Sequence, residues 1–133
     1  MNVIDSIFAY IAKQEGWDSP DPTVVPRRLD NPGDLEFAGQ MGATPIKVGN
    51  HVFAKFPTAW QGIVAGYRQL YADIAKGWTL RQVIMSWAPP SENNSEAYLQ
   101  GVATGCGISA DTPLYSVRGH RVRVGPQKLK RNN

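Results

Sequence analysis

The sequence reads as a mainly α fold, of α+β type, with one small β-hairpin inserted early. Three observations predict it. Apolar residues recur at helical spacing in four separate segments, one short stretch alternates instead, and capping signatures stand at the head of several helical segments. The chain has 133 residues, 42% hydrophobic and 19% charged, which suits one folded domain over residues 1–133 with one core.

Ile4, Ile7 and Ile11 open the first helix, with Asn2 as its cap and Gly16 as its stop. Asp18 to Pro32 holds Pro20, Pro22, Pro26 and Pro32 and reads as a long stiffened loop without an element. In Pro45 to Phe56, Ile46 and Val48 alternate, Gly49-Asn50 turns, and Val52, Ala54 and Phe56 alternate again, which predicts a hairpin. Thr58-Ala59-Trp60-Gln61 is a capping box for a helix with Ile63, Tyr67, Leu70 and Ile74 as its inner stripe, stopped near Gly77. Gly62 and Gly66 on that helix permit close approach of another backbone. Thr79 to Gln82 repeats the box before Leu80, Val83, Ile84 and Trp87, and Pro89-Pro90 ends that segment. Asn93-Asn94-Ser95-Glu96 starts a helix carrying Tyr98, Leu99 and Val102 to Gly105 or Gly107, and Asp111 to Leu114 opens a last short turn.

The net charge of +3 is unevenly placed. Arg118, Arg121, Arg123, Lys128, Lys130 and Arg131 crowd the segment 118–133, after a slightly acidic chain. That segment suits an anionic cell-wall polymer or membrane surface, or is a plain solvated tail. It comes with no recognition helix or aromatic sheet module, which argues against specific nucleic-acid reading. No window is apolar enough to cross a bilayer. No basic stretch precedes an apolar run at the start, which argues against a standard secretory signal.

Glu15 is the leading chemical candidate. It lies four residues beyond Ile11, on the face that meets the core, beside Trp17. A carboxyl group at the rim of a core suits general-acid chemistry, although an ordinary helix-end glutamate has the same position. Trp17 reads either as a ring for sugar stacking or as core packing. Partner carboxylates for glycoside cleavage are available at Asp30, Asp34, Glu36, Glu92 and Glu96. Glu96 is accounted for as a capping partner, and Asp34 as a residue that satisfies the amides of the Pro32-Gly33 turn. Ser91, Glu92 and Asn93 form a polar cluster after Pro89-Pro90, close to Tyr98. His51 and His120 lack metal-ligand spacing, Cys106 reads as buried packing, and the serines have no base partner, so neither a metal nor a cofactor is expected.

Four runs, in order, carry a resemblance: Gln14-Glu15-Gly16-Trp17, then Arg28-Leu29-Asp30-Asn31-Pro32-Gly33-Asp34-Leu35, then Phe53-Ala54-Lys55-Phe56, then Trp87-Ala88-Pro89-Pro90-Ser91-Glu92-Asn93. Together they resemble a phage and prophage lysozyme-like family related to lytic transglycosylases and goose-type lysozymes. The resemblance implies a lysozyme-like fold with a substrate groove and a small hairpin lobe. It implies cleavage of the β-1,4 bond between N-acetylmuramic acid and N-acetylglucosamine in peptidoglycan glycan strands, with the catalytic acid falling on Glu15. Tyr98 is the match to an active-centre tyrosine of the transglycosylases, and Asn31 to Glu36 match a groove wall. The Gly-Leu-Met-Gln motif of typical transglycosylases is absent. Glu36 or Glu92 would support a hydrolytic version, with Trp17, Asn31, Asp34, Ser91 and Asn93 on the substrate side. Synthesis in a host cytoplasm, with action in the wall or periplasm after holin release or from the virion, follows from the same resemblance. The rival expectation is a non-catalytic phage structural or glycan-binding domain with this fold.

Overall fold

Helix α1, Val3–Glu15, begins where Asn2 Oδ1 accepts the Ile4 amide at 2.8 Å and ends where Gly16 turns left-handed at φ 104°. The computed structural model describes residues 1–122. It is mainly helical with one two-stranded antiparallel sheet, as the apolar periodicity predicts. The remaining elements are α2 (Val25–Arg28), β1 (Thr44–Val48), β2 (His51–Lys55), α3 (Ala59–Ala75), α4 (Leu80–Trp87), α5 (Ser95–Cys106) and α6 (Leu114–Val117). The described chain divides into two compact units, residues 1–10 with 70–122 and residues 11–69, so the boundary falls within α1 and within α3. The distal residues of the basic segment, Arg123, Lys128, Lys130 and Arg131, lie outside the described residues, as does Val124.

The helical unit, residues 1–10 with 70–122, buries Ile4, Ile7 and Phe8 of α1, Leu80, Val83 and Ile84 of α4, and Leu99 of α5. The predicted capping box of α4 forms in both directions: Gln82 N donates to Thr79 Oγ1 at 3.2 Å, and Thr79 N donates to Gln82 Oε1 at 2.9 Å. The cap of α5 is Asn94, one residue later than the Asn93 reading, and the helix stops at left-handed Gly107. The Ser95 hydroxyl donates to the Ala88 carbonyl and ties the start of α5 to the end of α4. Gly105 faces the Tyr10 ring so closely that a Cβ would overlap it. Residues 1–3 are held to residues 118–122, with Val3 N on His120 O at 2.8 Å and Val122 N on Met1 O at 2.9 Å.

The hairpin unit, residues 11–69, departs from the sequence reading in one element. A single helical turn, α2, stands inside the proline-rich stretch expected to lack one. Pro26 sits in its first turn, where its fixed φ favours the helix and its missing N–H costs nothing. Buried Arg27 fastens this turn to the loop, donating from Nη1 to Ser19 O at 2.7 Å. The hairpin pairs Val48 with His51 and Thr44 with Lys55 around the predicted Gly49-Asn50 turn. Directly opposed residues share a face, so Ile46, Val48, His51 and Phe53 lie on one side of the sheet.

Helix α3 approaches the chain at Asp30 through Gly62. A Cβ at position 62 would overlap the Asp30 carbonyl oxygen. Gly62→Ala is therefore expected to destabilise the protein by about 2 kcal/mol, despite alanine's better helix propensity. Gly101, on an exposed stretch of α5 with nothing near its would-be Cβ, is the control. Gly101→Ala is expected to stabilise by about 0.5–1 kcal/mol. Denaturant titration of the two variants checks the contrast.

Candidate active site

The segment from Asp30 to Phe37 is shaped by one buried amide. Asn31 is fully buried, and its Nδ2 donates to Leu35 O and to Ala54 O, each at 2.9 Å. Its Oδ1 accepts the Leu35 amide at 2.9 Å. These bonds close the Pro32-Gly33 turn and fasten it to β2. The turn-amide role expected of Asp34 therefore falls to Asn31, and the Asn31 side chain is scaffold, with its hydrogen-bonding capacity directed at backbone. Asp30 and Asp34 flank the turn in left-handed conformations, φ 51° and 54°, a region that aspartate tolerates better than most residues.

After the turn, residues 35–37 run beside β2. Ala54 N donates to Leu35 O at 3.0 Å, Phe37 N donates to Val52 O at 2.8 Å, and Glu36 pairs with Phe53. This pairing puts Glu36 against the hairpin face that carries His51 and Phe53. Glu36 Oε1 meets His51 Nδ1 at 2.8 Å, and the His51 and Phe53 rings lie 5.7 Å apart.

Asp34 turns its carboxyl group to Glu15 at the end of α1, and the two side chains are hydrogen-bonded. Two carboxyl groups in contact share a proton, because both cannot ionise cheaply side by side. Burial pushes the Asp34 carboxyl up to about 6, against the lowering effect of the Glu15 hydrogen bond and of His51, while Glu36 adds to the rise. Asp34 Oδ1 is buried with no hydrogen-bond partner among the described residues.

The structure thus gathers Glu15, Asp34 and Glu36 in the hairpin unit and adds His51, which sequence reading considered only as a metal ligand. The available signal was the alternation of the hairpin, which sets His51 on the same face as Phe53. Trp17 is 1% exposed, which corrects the sugar-stacking reading: the ring is core packing, with no open face. Ser91, Glu92, Asn93 and Tyr98 belong to the helical unit. Ser91, Glu92 and Asn93 are exposed in the turn between α4 and α5, where Glu92 N and Asn93 Nδ2 both donate to Pro89 O. Tyr98 is buried on α5. An open cleft of about 410 Å³ in the helical unit, lined by Arg81, Thr104 and Asp111 among others, contains none of the candidate residues. Its guanidinium is engaged by Asp111 at 2.9 Å and Glu96 at 3.0 Å. Among the described residues no group of three or more His, Cys, Asp or Glu side chains could hold a metal ion. Comparison with protein-family models, curated proteins and solved structures finds no match.

The raised Asp34 carboxyl has a consequence for stability. Between the unfolded value of 3.8 and the folded value of about 6 the native state binds more protons, so stability falls as pH rises through that window. Discounted for partial exposure, ionised Asp34 costs about 1–2 kcal/mol above the window. Asp34→Asn is expected to recover that amount at pH 7.5 and to change little at pH 3.5, as measured by denaturant midpoints at the two pH values.

Proposed function

We propose that the chain is a lysozyme-like glycosidase that cleaves the β-1,4 bond of peptidoglycan between N-acetylmuramic acid and N-acetylglucosamine, with Glu15 as general acid. The observation that carries this reading is the Glu15–Asp34 hydrogen bond, with Asp34 poised near 6. With one proton on the pair, Glu15 holds the proton needed by the leaving oxygen. Asp34 then holds a negative charge for the oxocarbenium-like centre that develops in the transition state.

The contact also bears on the route. Carboxyl groups that straddle a scissile glycosidic bond stand about 5–5.5 Å apart in retaining enzymes and about 6.5–9.5 Å apart in inverting ones. A hydrogen-bonded pair is closer than either, so Glu15 and Asp34 work as one acid unit rather than as acid and nucleophile. This favours the transglycosylase version. Glu15 protonates the leaving oxygen, then takes the proton of the muramoyl C6 hydroxyl as that oxygen closes on C1, which yields an anhydro end and restores the acid. In the hydrolytic version Glu36, exposed, bonded to His51 and in the same unit as Glu15, is the candidate to direct water. The basic terminal segment would hold the enzyme to an anionic wall polymer or membrane surface, and access to the wall would come through a holin or from the virion.

Digestion of purified peptidoglycan followed by mass analysis tests the reading. Wild type is expected to release muropeptides with anhydro ends, and activity is expected to fall below about pH 6 as Asp34 takes up its proton. Glu15→Gln is expected to lose on the order of 10³-fold in rate and Asp34→Asn on the order of 10²-fold. New reducing ends would establish hydrolysis instead. Absence of any release by folded wild type would sink the enzymatic reading and leave a structural or glycan-binding role.

A further inference from the structure

The hairpin ladder ends at the pair Thr44 and Lys55, and the two chains beyond it part and then meet again. They meet where Gly42, left-handed at φ 78°, lies against the start of α3: a Cβ there would stand 3.0 Å from Gln61 Nε2 and 3.7 Å from Pro57 Cδ. Both sides of this contact are held by their own polar groups. Gln40 Nε2 donates to Glu36 O at 2.9 Å and Gln40 Oε1 accepts the Ala38 amide at 2.8 Å, which folds the loop. Thr58 Oγ1 accepts the Gln61 amide at 3.2 Å and donates to Gln61 Oε1 at 3.1 Å, which fixes the first turn of α3. Met41 and Trp60 are each next in sequence to a partner of the contact. They are the two most exposed large apolar side chains among the described residues, at 78% and 70%. Apolar bulk held in water on a backbone fixed in this way points to a contact outside the protein.

The chemistry around the pair selects the partner. Lys55, at the end of the ladder, and Lys47, further along β1, are exposed and have no ion-pair partner among the described residues. The sequence carries no acidic residue between Glu36 and Asp73. Sugar recognition needs polar groups turned outward beside an aromatic ring, whereas the Gln40 carboxamide and the Thr58 hydroxyl are turned onto the protein. A symmetric contact with a second copy would bring like-charged lysines together. A thioether and an indole beside ammonium groups fit the interface of an anionic bilayer. The apolar groups enter the acyl boundary, the indole sits at headgroup level, and the lysines meet the phosphates. We propose that Met41 and Trp60, flanked by Lys55 and Lys47, form an interfacial anchor that docks the hairpin unit on an anionic phospholipid surface. The anchor is separate from the basic terminal segment and does not depend on the glycosidase reading.

Trp60 reports on its own contact. Trp17 is buried and Trp78 and Trp87 are half-buried, so Trp60 is the tryptophan most open to water. The full chain is mixed with vesicles of phosphatidylglycerol and phosphatidylethanolamine, or of phosphatidylcholine alone, and tryptophan emission and co-sedimentation are read. A blue shift and co-sedimentation are expected with the anionic vesicles, and much less of either with phosphatidylcholine. Trp60→Ala and Met41→Gln are each expected to weaken partitioning on the order of tenfold. Lys55→Gln is expected to weaken it about fivefold. Both apolar side chains are exposed, so these variants are expected to keep the wild-type denaturant midpoint. Binding with unshifted emission, equal in wild type, Trp60→Ala and Met41→Gln, would assign attachment to the basic terminal segment and overturn the anchor. Absence of binding to anionic vesicles would overturn it as well. A shift given by purified cell wall but not by vesicles would overturn it in favour of a wall polymer, and a shift in the protein alone as its concentration rises would do so in favour of self-association.

Discussion

Asn31 spends its side chain on backbone alone: two carbonyls and one amide, all at 2.9 Å and all out of water. Breaking such a set would leave buried donors and acceptors unmet, at a cost of about 1–3 kcal/mol for each group stranded. The clamp therefore decides the path of the chain from Asp30 to Phe37. It closes the turn that lifts Asp34 toward Glu15, and it starts the strand segment that carries Glu36 to His51. Gly62 supports the same path from the other side by letting α3 close on the Asp30 carbonyl. The placement of Asp34 and Glu36 hangs on this one amide, whose own side chain is spent on backbone.

Much of the scaffold was legible in the sequence. The helix through Ile4, Ile7 and Ile11, the hairpin around Gly49-Asn50, the capping box at Thr79 and the close approach at Gly62 all follow from local rules, and local rules are what sequence spacing encodes. The small helix α2 was hidden because four prolines suggested only interruption, whereas Pro26 occupies the one helical position that welcomes it.

The site was legible only in part. Glu15 could be found because helical phase brings it to the rim of the core. Asp34 was legible as a residue of the Asn-Pro-Gly-Asp-Leu run, but its partner was not, since contact between positions 15 and 34 depends on a turn whose geometry is fixed by long-range bonds to β2. Trp17 went astray for the opposite reason: a tryptophan beside an acid suggests a binding wall, while burial is decided by the packing of the whole unit. Glu36 and His51 needed the register of residues 35–37 against β2, and a three-residue pairing leaves no periodic trace.

The left-handed backbone at Asp34 bears on how this protein would respond to selection. At φ 54° the residues that sit most comfortably are glycine and asparagine, and either would also remove a buried charge. Selection for robustness alone would pull position 34 toward those two. An aspartate there is a compromise between conformation and charge, so heat alone would sort a library diversified at this codon away from the residue the chain carries.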